Sequence, residues 1–130
     1  MQNSKVSVVV PVFYEEQVIN ECYSRIINIF KDLYNYDYEI IFVDDGSGDN
    51  TLKILEEIAS KDSLVKLISF SRNFGHQAAV SAGLKEVNVD AIIIIDADLQ
   101  DDVEVIEQMV DYYLKGIDVV YGVRRERHTD

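Results

Sequence analysis

The tightest constraint on the fold is a set of short runs that are apolar at nearly every position. Residues 6–12 read VSVVVPV, residues 38–43 read YEIIFV and residues 91–95 read AIIII. A strand with one face in water alternates apolar and polar residues. These runs do not, so both of their faces must be covered. Between them, apolar residues recur at helical spacing. Val18, Cys22, Ile26, Ile29, Phe30 and Leu33 predict a helix over residues 18–34. Leu52, Leu55, Ile58 and Ala59 predict a second, with Asp49 or Asn50 as its N-cap. Residues 65–70 form a third strand and residues 77–86 a short third helix. Val103, Ile106, Met109, Val110 and Tyr113 mark a fourth helix ending near Gly116, and residues 119–123 a fifth strand. Strands alternating with helices that cover both faces specify an α/β fold, a doubly wound and mostly parallel sheet. Pro11, the only proline, falls at the end of the first strand.

A chain of 130 residues suits one domain and one core, and 48% hydrophobic residues can fill it. The formal charge of −12 excludes a basic nucleic-acid-binding face. It leaves room for a nucleotide, because a divalent cation can bridge acid to phosphate. Cys22, the single cysteine, reads as a core thiol in a reducing compartment. The opening MQNSK does not read as a signal peptide, and no apolar run reaches the ~20 residues of a membrane span. The chain is therefore expected in the cytoplasm.

Sheets of this kind bind ligands beyond the carboxyl ends of their strands, where the strand order reverses. The unusual polar residues come directly after the strands: PVFYEE, DDGSGDNT, SRNFGHQ, DADLQDD and GVRRERH. Asp96 and Asp98 continue a strand at a spacing that puts both carboxylates on one side. By itself that spacing fits a cation site and an acidic helix cap equally. Asp101 and Asp102 read as the start of the fourth helix. Asp44 and Asp45, ahead of Gly46 and Gly48, favour contact with a ligand over an ordinary turn. Arg72 can balance these acids or meet a phosphate. His76 reads as a hydrogen-bonding residue at a helix start, with no serine or cysteine motif beside it. Arg124, Arg125 and Arg127 fit a solvated tail and a phosphate contact equally well. The chain has no G-x-G-x-x-G after its first strand and no P-loop motif, which removes the common dinucleotide and nucleotidase readings. A receiver domain would need its acid pair after the first strand.

Together, SVVVPVFYEE, IIFVDDGSGDNT, SRNFGHQAAVSAG, DADLQDD and YGVRRER resemble the family 2 inverting glycosyltransferases of GT-A fold, in order and spacing along almost the whole chain. The branch most similar is that of the polyprenyl- and dolichyl-phosphate sugar transferases. The resemblance implies a UDP- or GDP-sugar donor and a Mg²⁺ or Mn²⁺ ion held by Asp96 and Asp98. Pro11, Val12, Glu15, Asp44, Asp45 and Ser47 would border the nucleotide, with Asp45 a candidate for the base. Tyr14 stands where the family usually has asparagine. Arg72 and Gly75 match nucleotide and diphosphate contacts, and Asp96 joins them. Asp96 and Asp98 match the metal-binding D-x-D, Gln100 follows it as in the branch, and Arg124 matches a Gly-x-Arg near the acceptor phosphate, so Asp98, Gln100 and Arg124 are the implied catalytic residues.

The implied reaction is a single displacement at the anomeric carbon, with a polyprenyl phosphate as acceptor. A polysaccharide hydroxyl acceptor is the alternative within the family, and a non-catalytic nucleotide-binding or interaction domain the alternative outside it. Family catalytic domains are longer, so residues 1–130 are expected to be the N-terminal part of one. The full-length protein is expected at the cytoplasmic face of a membrane, with helices that anchor it there. An unfinished sheet edge after the fifth strand would invite a homo-oligomer.

Overall fold

A computed structural model describes residues 4–31, 36–87, 91–95 and 97. The elements are β1 (Ser4–Val12), α1 (Ile19–Lys31), β2 (Tyr36–Asp44), α2 (Thr51–Lys61), β3 (Val65–Ser69), α3 (His76–Lys85) and β4 (Ala91–Ile94). The fourth helix and fifth strand expected from the sequence lie outside the described residues. The four strands form one parallel sheet in the order β3-β2-β1-β4. The α/β, doubly wound reading therefore holds, and the order reverses between β1 and β4.

The apolar runs explain the two-sided core. Along β1, Val6, Val8, Val10 and Val12 face one side, where Ile40 and Phe42 of β2 join them. Ile19, Cys22, Ile26 and Phe30 of α1 and Leu55 of α2 pack there. Val9, Ile41 and Val43 face the other side, against Ala79 of α3. Burying each large side chain such as Phe42 or Ile26 contributes about 1.5–3 kcal/mol. At Gly83 an added Cβ would lie 2.5 Å from Val9 Cγ1, so a side chain there would push α3 off the sheet.

Several boundaries differ from the sequence reading, each for a tertiary reason. β2 runs from Tyr36 to Asp44 rather than over 38–43, because its ladder with β1 extends from Ser4↔Tyr36 to Val12↔Asp44. Helix α1 begins at Ile19, after a turn in which Glu15 C=O accepts the N–H groups of Val18 and Ile19. Helix α3 begins at His76, and β3 and β4 each stop one residue short of expectation. β1 continues through Pro11 to Val12. Val9 C=O accepts the Ile95 N–H, so by strand alternation the nitrogen of Pro11 also faces β4. The β4 ladder ends at Val9↔Ile94, so the missing proline N–H costs no paired bond among the described residues.

The amino-terminal half of the sheet carries a buried polar group that the sequence did not reveal. Glu39 is 3% exposed. Its carboxylate accepts the Ser7 hydroxyl from the neighbouring strand. Lys66 Nζ stands 3.0 Å and Lys5 Nζ 3.7 Å from Glu39 Oε1. Burial pushes the Glu39 carboxyl up, but the Ser7 hydrogen bond and the two ammonium groups outweigh it, so it lies below its ordinary value of 4.5. Its stabilising contribution is complete above that ordinary value and is lost as pH falls through the lower folded value. Glu39→Gln is expected to cost about 1–3 kcal/mol at pH 7. Urea titrations should show the gap to wild type closing in acid; a gap constant with pH would contradict this assignment.

Candidate functional site

Three loops meet at the carboxyl edge of the sheet. The loop after β1 is tied to the loop after β2 through hydrogen bonds that run in both directions. Tyr14 N–H donates to Ser47 Oγ at 2.9 Å and Glu15 N–H to Thr51 Oγ1 at 3.0 Å. In return, Asn50 N–H donates to Glu16 Oε1 at 2.8 Å. The start of α2 is capped from one residue outside it. Asn50 holds the N-cap position without a side-chain bond, and Asp49 Oδ1 accepts the Thr51 N–H at 3.0 Å and its hydroxyl at 2.6 Å. Slight burial pushes the Asp49 carboxyl up, but these donors outweigh it and hold it below its ordinary value.

Asp45 ties the second loop to the third. Its carboxylate accepts Phe74 N–H at 2.7 Å, Gly75 N–H at 3.1 Å and Asn73 Nδ2 at 3.0 Å. Asp45 is 4% exposed, so these bonds replace its water. Gly46 fits the same junction. Its φ is +76°, and a Cβ there would stand 2.3 Å from the carbonyl carbon of Arg72.

Asp44, one residue earlier, is 1% exposed, and its Oδ1 has no hydrogen-bond partner among the described residues. The two adjacent aspartates thus differ sharply. One carboxylate is occupied by the protein, and the other keeps an open acceptor, a rare and costly state for a buried oxygen.

A cavity of about 390 Å³ opens where the strand order reverses, a usual size for a small-molecule site. Its walls are Pro11, Val12, Phe13 and Glu15 after β1, Asp45 after β2, Asn73, Gly75, His76 and Ala79 around the start of α3, and Ala97 after β4. Five residues picked from the sequence line it: Pro11, Val12, Glu15, Asp45 and Gly75. Ser47 stands in the adjoining loop. Arg72 is exposed on the third loop, with its guanidinium 4.5 Å from the centre of the Phe74 ring. Asp96, Asp98, Gln100 and Arg124 lie outside the described residues. Among the described residues, no three His, Cys, Asp or Glu side chains group so as to hold a metal. Ala97, between the two acids of the D-x-D in sequence, lines the cavity, and carboxylates suit hard cations such as Mg²⁺ and Mn²⁺. The sequence reading assigned no role to Phe13 or Asn73. Their only signal was position beside the Pro-x-x-x-Glu and Arg-x-x-Gly segments.

The family model for glycosyl transferase family 2 matches residues 7–130. The chain belongs to that family. It is 45% identical over 126 residues to the prophage bactoprenol glucosyl transferase homolog of Escherichia coli, covering 97% of this chain and 41% of that protein. The chain spans 37% to 41% of the length of the curated relatives it matches most strongly. Among solved structures it is similar to S. aureus TarS 1-349 in complex with UDP-GlcNAc, with a TM-score of 0.70 and 24% identity over 85% of this chain and 31% of that one. It is also similar to the Pyrobaculum calidifontis mannosyltransferase PcManGT in complex with GDP-Man and Mn²⁺, with a TM-score of 0.65 and 24% identity over 75% of this chain and 28% of that one. These likenesses establish the GT-A fold for the family 2 chain.

The neighbouring aspartates should respond differently to loss of charge. Asp45→Asn would turn an amide toward backbone N–H donors and is expected to lower stability by about 2–3 kcal/mol. Asp44→Asn alters a side chain whose Oδ1 bonds to nothing among the described residues and should change stability by less than about 1 kcal/mol in either direction. Urea unfolding of both variants checks the contrast, and equal losses would contradict it.

Proposed function

We propose that the protein transfers a sugar, with inversion, from a UDP- or GDP-linked donor to a polyprenyl phosphate, aided by Mg²⁺ or Mn²⁺. The observation that carries this reading is the cavity between the ends of β1 and β4. Pro11, Val12, Glu15, Asp45 and Gly75 meet there with Ala97, the residue between Asp96 and Asp98 in sequence. The GDP-Man, Mn²⁺ and UDP-GlcNAc of the similar structures support the donor class. The bactoprenol named for the Escherichia coli relative supports the acceptor class.

In this reading Pro11, Val12 and Glu15 border the nucleoside. Asp45, which lines the cavity, and its neighbour Asp44 border it from the end of β2. Asp45 and Ser47 hold the surrounding loops in place. Arg72, Gly75 and Asp96 face the diphosphate, and Asp96 and Asp98 hold the cation. When bound, the cation supplies a Lewis acid that neutralises charge on the departing diphosphate. An oxygen of the acceptor phosphate attacks the anomeric carbon from the face opposite the nucleoside diphosphate. The new C–O bond forms as the bond to the leaving diphosphate breaks, which inverts the centre. The attacking phosphate is already ionised, so no strong general base is needed. Arg124 would orient that phosphate, and Asp98 and Gln100 are the other residues assigned to catalysis. A lipid acceptor places the work at the cytoplasmic face of a membrane. Among the described residues, no helix is long and apolar enough to cross one.

Titration of UDP and of GDP, with and without Mn²⁺, tests the donor site. Binding of one nucleotide should require the metal and weaken more than about tenfold in Asp98→Ala, a loss that even outer-shell partners of a metal can reach. Transfer of labelled sugar to undecaprenyl phosphate tests the acceptor. Metal-independent binding by a folded sample would contradict the proposal.

A further inference from the structure

Tyr14 is the one non-glycine residue with positive φ among the described residues, at +56°. A bulky side chain is rare in that conformation, whereas asparagine adopts it readily. The backbone at position 14 therefore suits the asparagine usual in the family, yet this chain places an aromatic ring there. The ring is 53% exposed, so core packing does not explain it. Two contacts define its place. It meets Phe13 edge-on, with ring centres 4.6 Å apart and planes at 84°. It also lies across Gly48 of the β2–α2 loop, where an added Cβ would stand 2.3 Å from the Tyr14 hydroxyl oxygen. The main chain reinforces both, through Tyr14 N–H to Ser47 Oγ. Phe13 lines the cavity and Tyr14 does not.

We infer that Tyr14 is a positioning residue for the nucleoside end of the donor. Its ring meets Phe13, which lines the cavity, and lies over Gly48 in the loop that follows Asp45, so that this wall and this loop are set before a nucleotide arrives. Pre-set walls raise affinity because less is left to order on binding. The inference rests on the donor reading above. It also gives Gly48 a reason distinct from backbone freedom, namely room for the Tyr14 hydroxyl.

The test is a set of variants read by calorimetric titration of UDP and GDP in Mn²⁺, alongside melting temperature. Tyr14→Asn should melt at the same temperature as wild type or higher, since it relaxes the backbone. Its nucleotide affinity should fall about three- to tenfold, the range of one aromatic contact. Tyr14→Phe keeps the ring and should restore most of the affinity. Gly48→Ala should weaken binding in wild type by displacing the ring, and should add little in the Tyr14→Asn background. A purely structural role would move the melting temperature and leave affinity alone. If wild type binds a nucleotide and Tyr14→Asn binds it equally well, the inference is overturned while the donor reading stands. If Gly48→Ala acts equally in both backgrounds, the link through Gly48 is overturned. If wild type binds neither nucleotide, the donor reading fails and takes the role of Tyr14 with it.

Discussion

The carboxylate of Asp45 holds the ligand edge of this molecule together. It follows directly on a buried strand and accepts hydrogen bonds from Asn73, Phe74 and Gly75, residues 28 to 30 positions further along the chain. Without it, the loop after β3 would leave backbone donors unpaired at the edge of the core. With it, the start of α3 is fixed over the crevice and Gly46 can close against Arg72. The remaining ties, Tyr14 to Ser47, Glu15 to Thr51 and Asn50 to Glu16, extend the same arrangement toward α1 and α2. The cavity is a consequence of loops held by one another rather than of any single wall.

The sheet separates two uses of buried charge. At the amino-terminal half, Glu39 is compensated by Ser7, Lys66 and Lys5, and every contact serves stability. At the carboxyl end, Asp44 keeps a buried oxygen without a partner among the described residues. The compensated group lies at the far edge of the sheet, and the one with a free oxygen adjoins the loops around the cavity. Pro11 sharpens the division. Its nitrogen faces β4 just past the last ladder pair, where the two strands part and the crevice opens.

Much of this was legible in the sequence because burial on both faces leaves a strong mark. The apolar runs located three of the four described strands, and the polar segments at the strand ends brought Pro11, Val12, Glu15, Asp45 and Gly75 to one cavity. The features that escaped detection depend on partners distant in sequence. Nothing in YEIIFV shows that Glu39 will meet lysines from two other strands. Nothing in DDGSG shows which aspartate the third loop will occupy: Asp45 takes that part and also lines the cavity, while Asp44 keeps a buried oxygen without a partner among the described residues. The start of α1 moved for a different reason, since Glu15 C=O sets it through a local turn that periodicity does not record. Tyr14 stood out only as a departure from the family pattern, and its backbone angle gave that departure a physical meaning.

In the proposed function, nucleotide enters the crevice between β1 and β4, bounded by the three tied loops. Amide hydrogen exchange with and without UDP or GDP in Mn²⁺ tests it most directly. Added protection should concentrate at residues 12–16, 44–51 and 73–79, with amides around Lys5, Glu39 and Lys66 unchanged. Protection confined to that opposite edge, in a sample that binds nucleotide, would contradict the account.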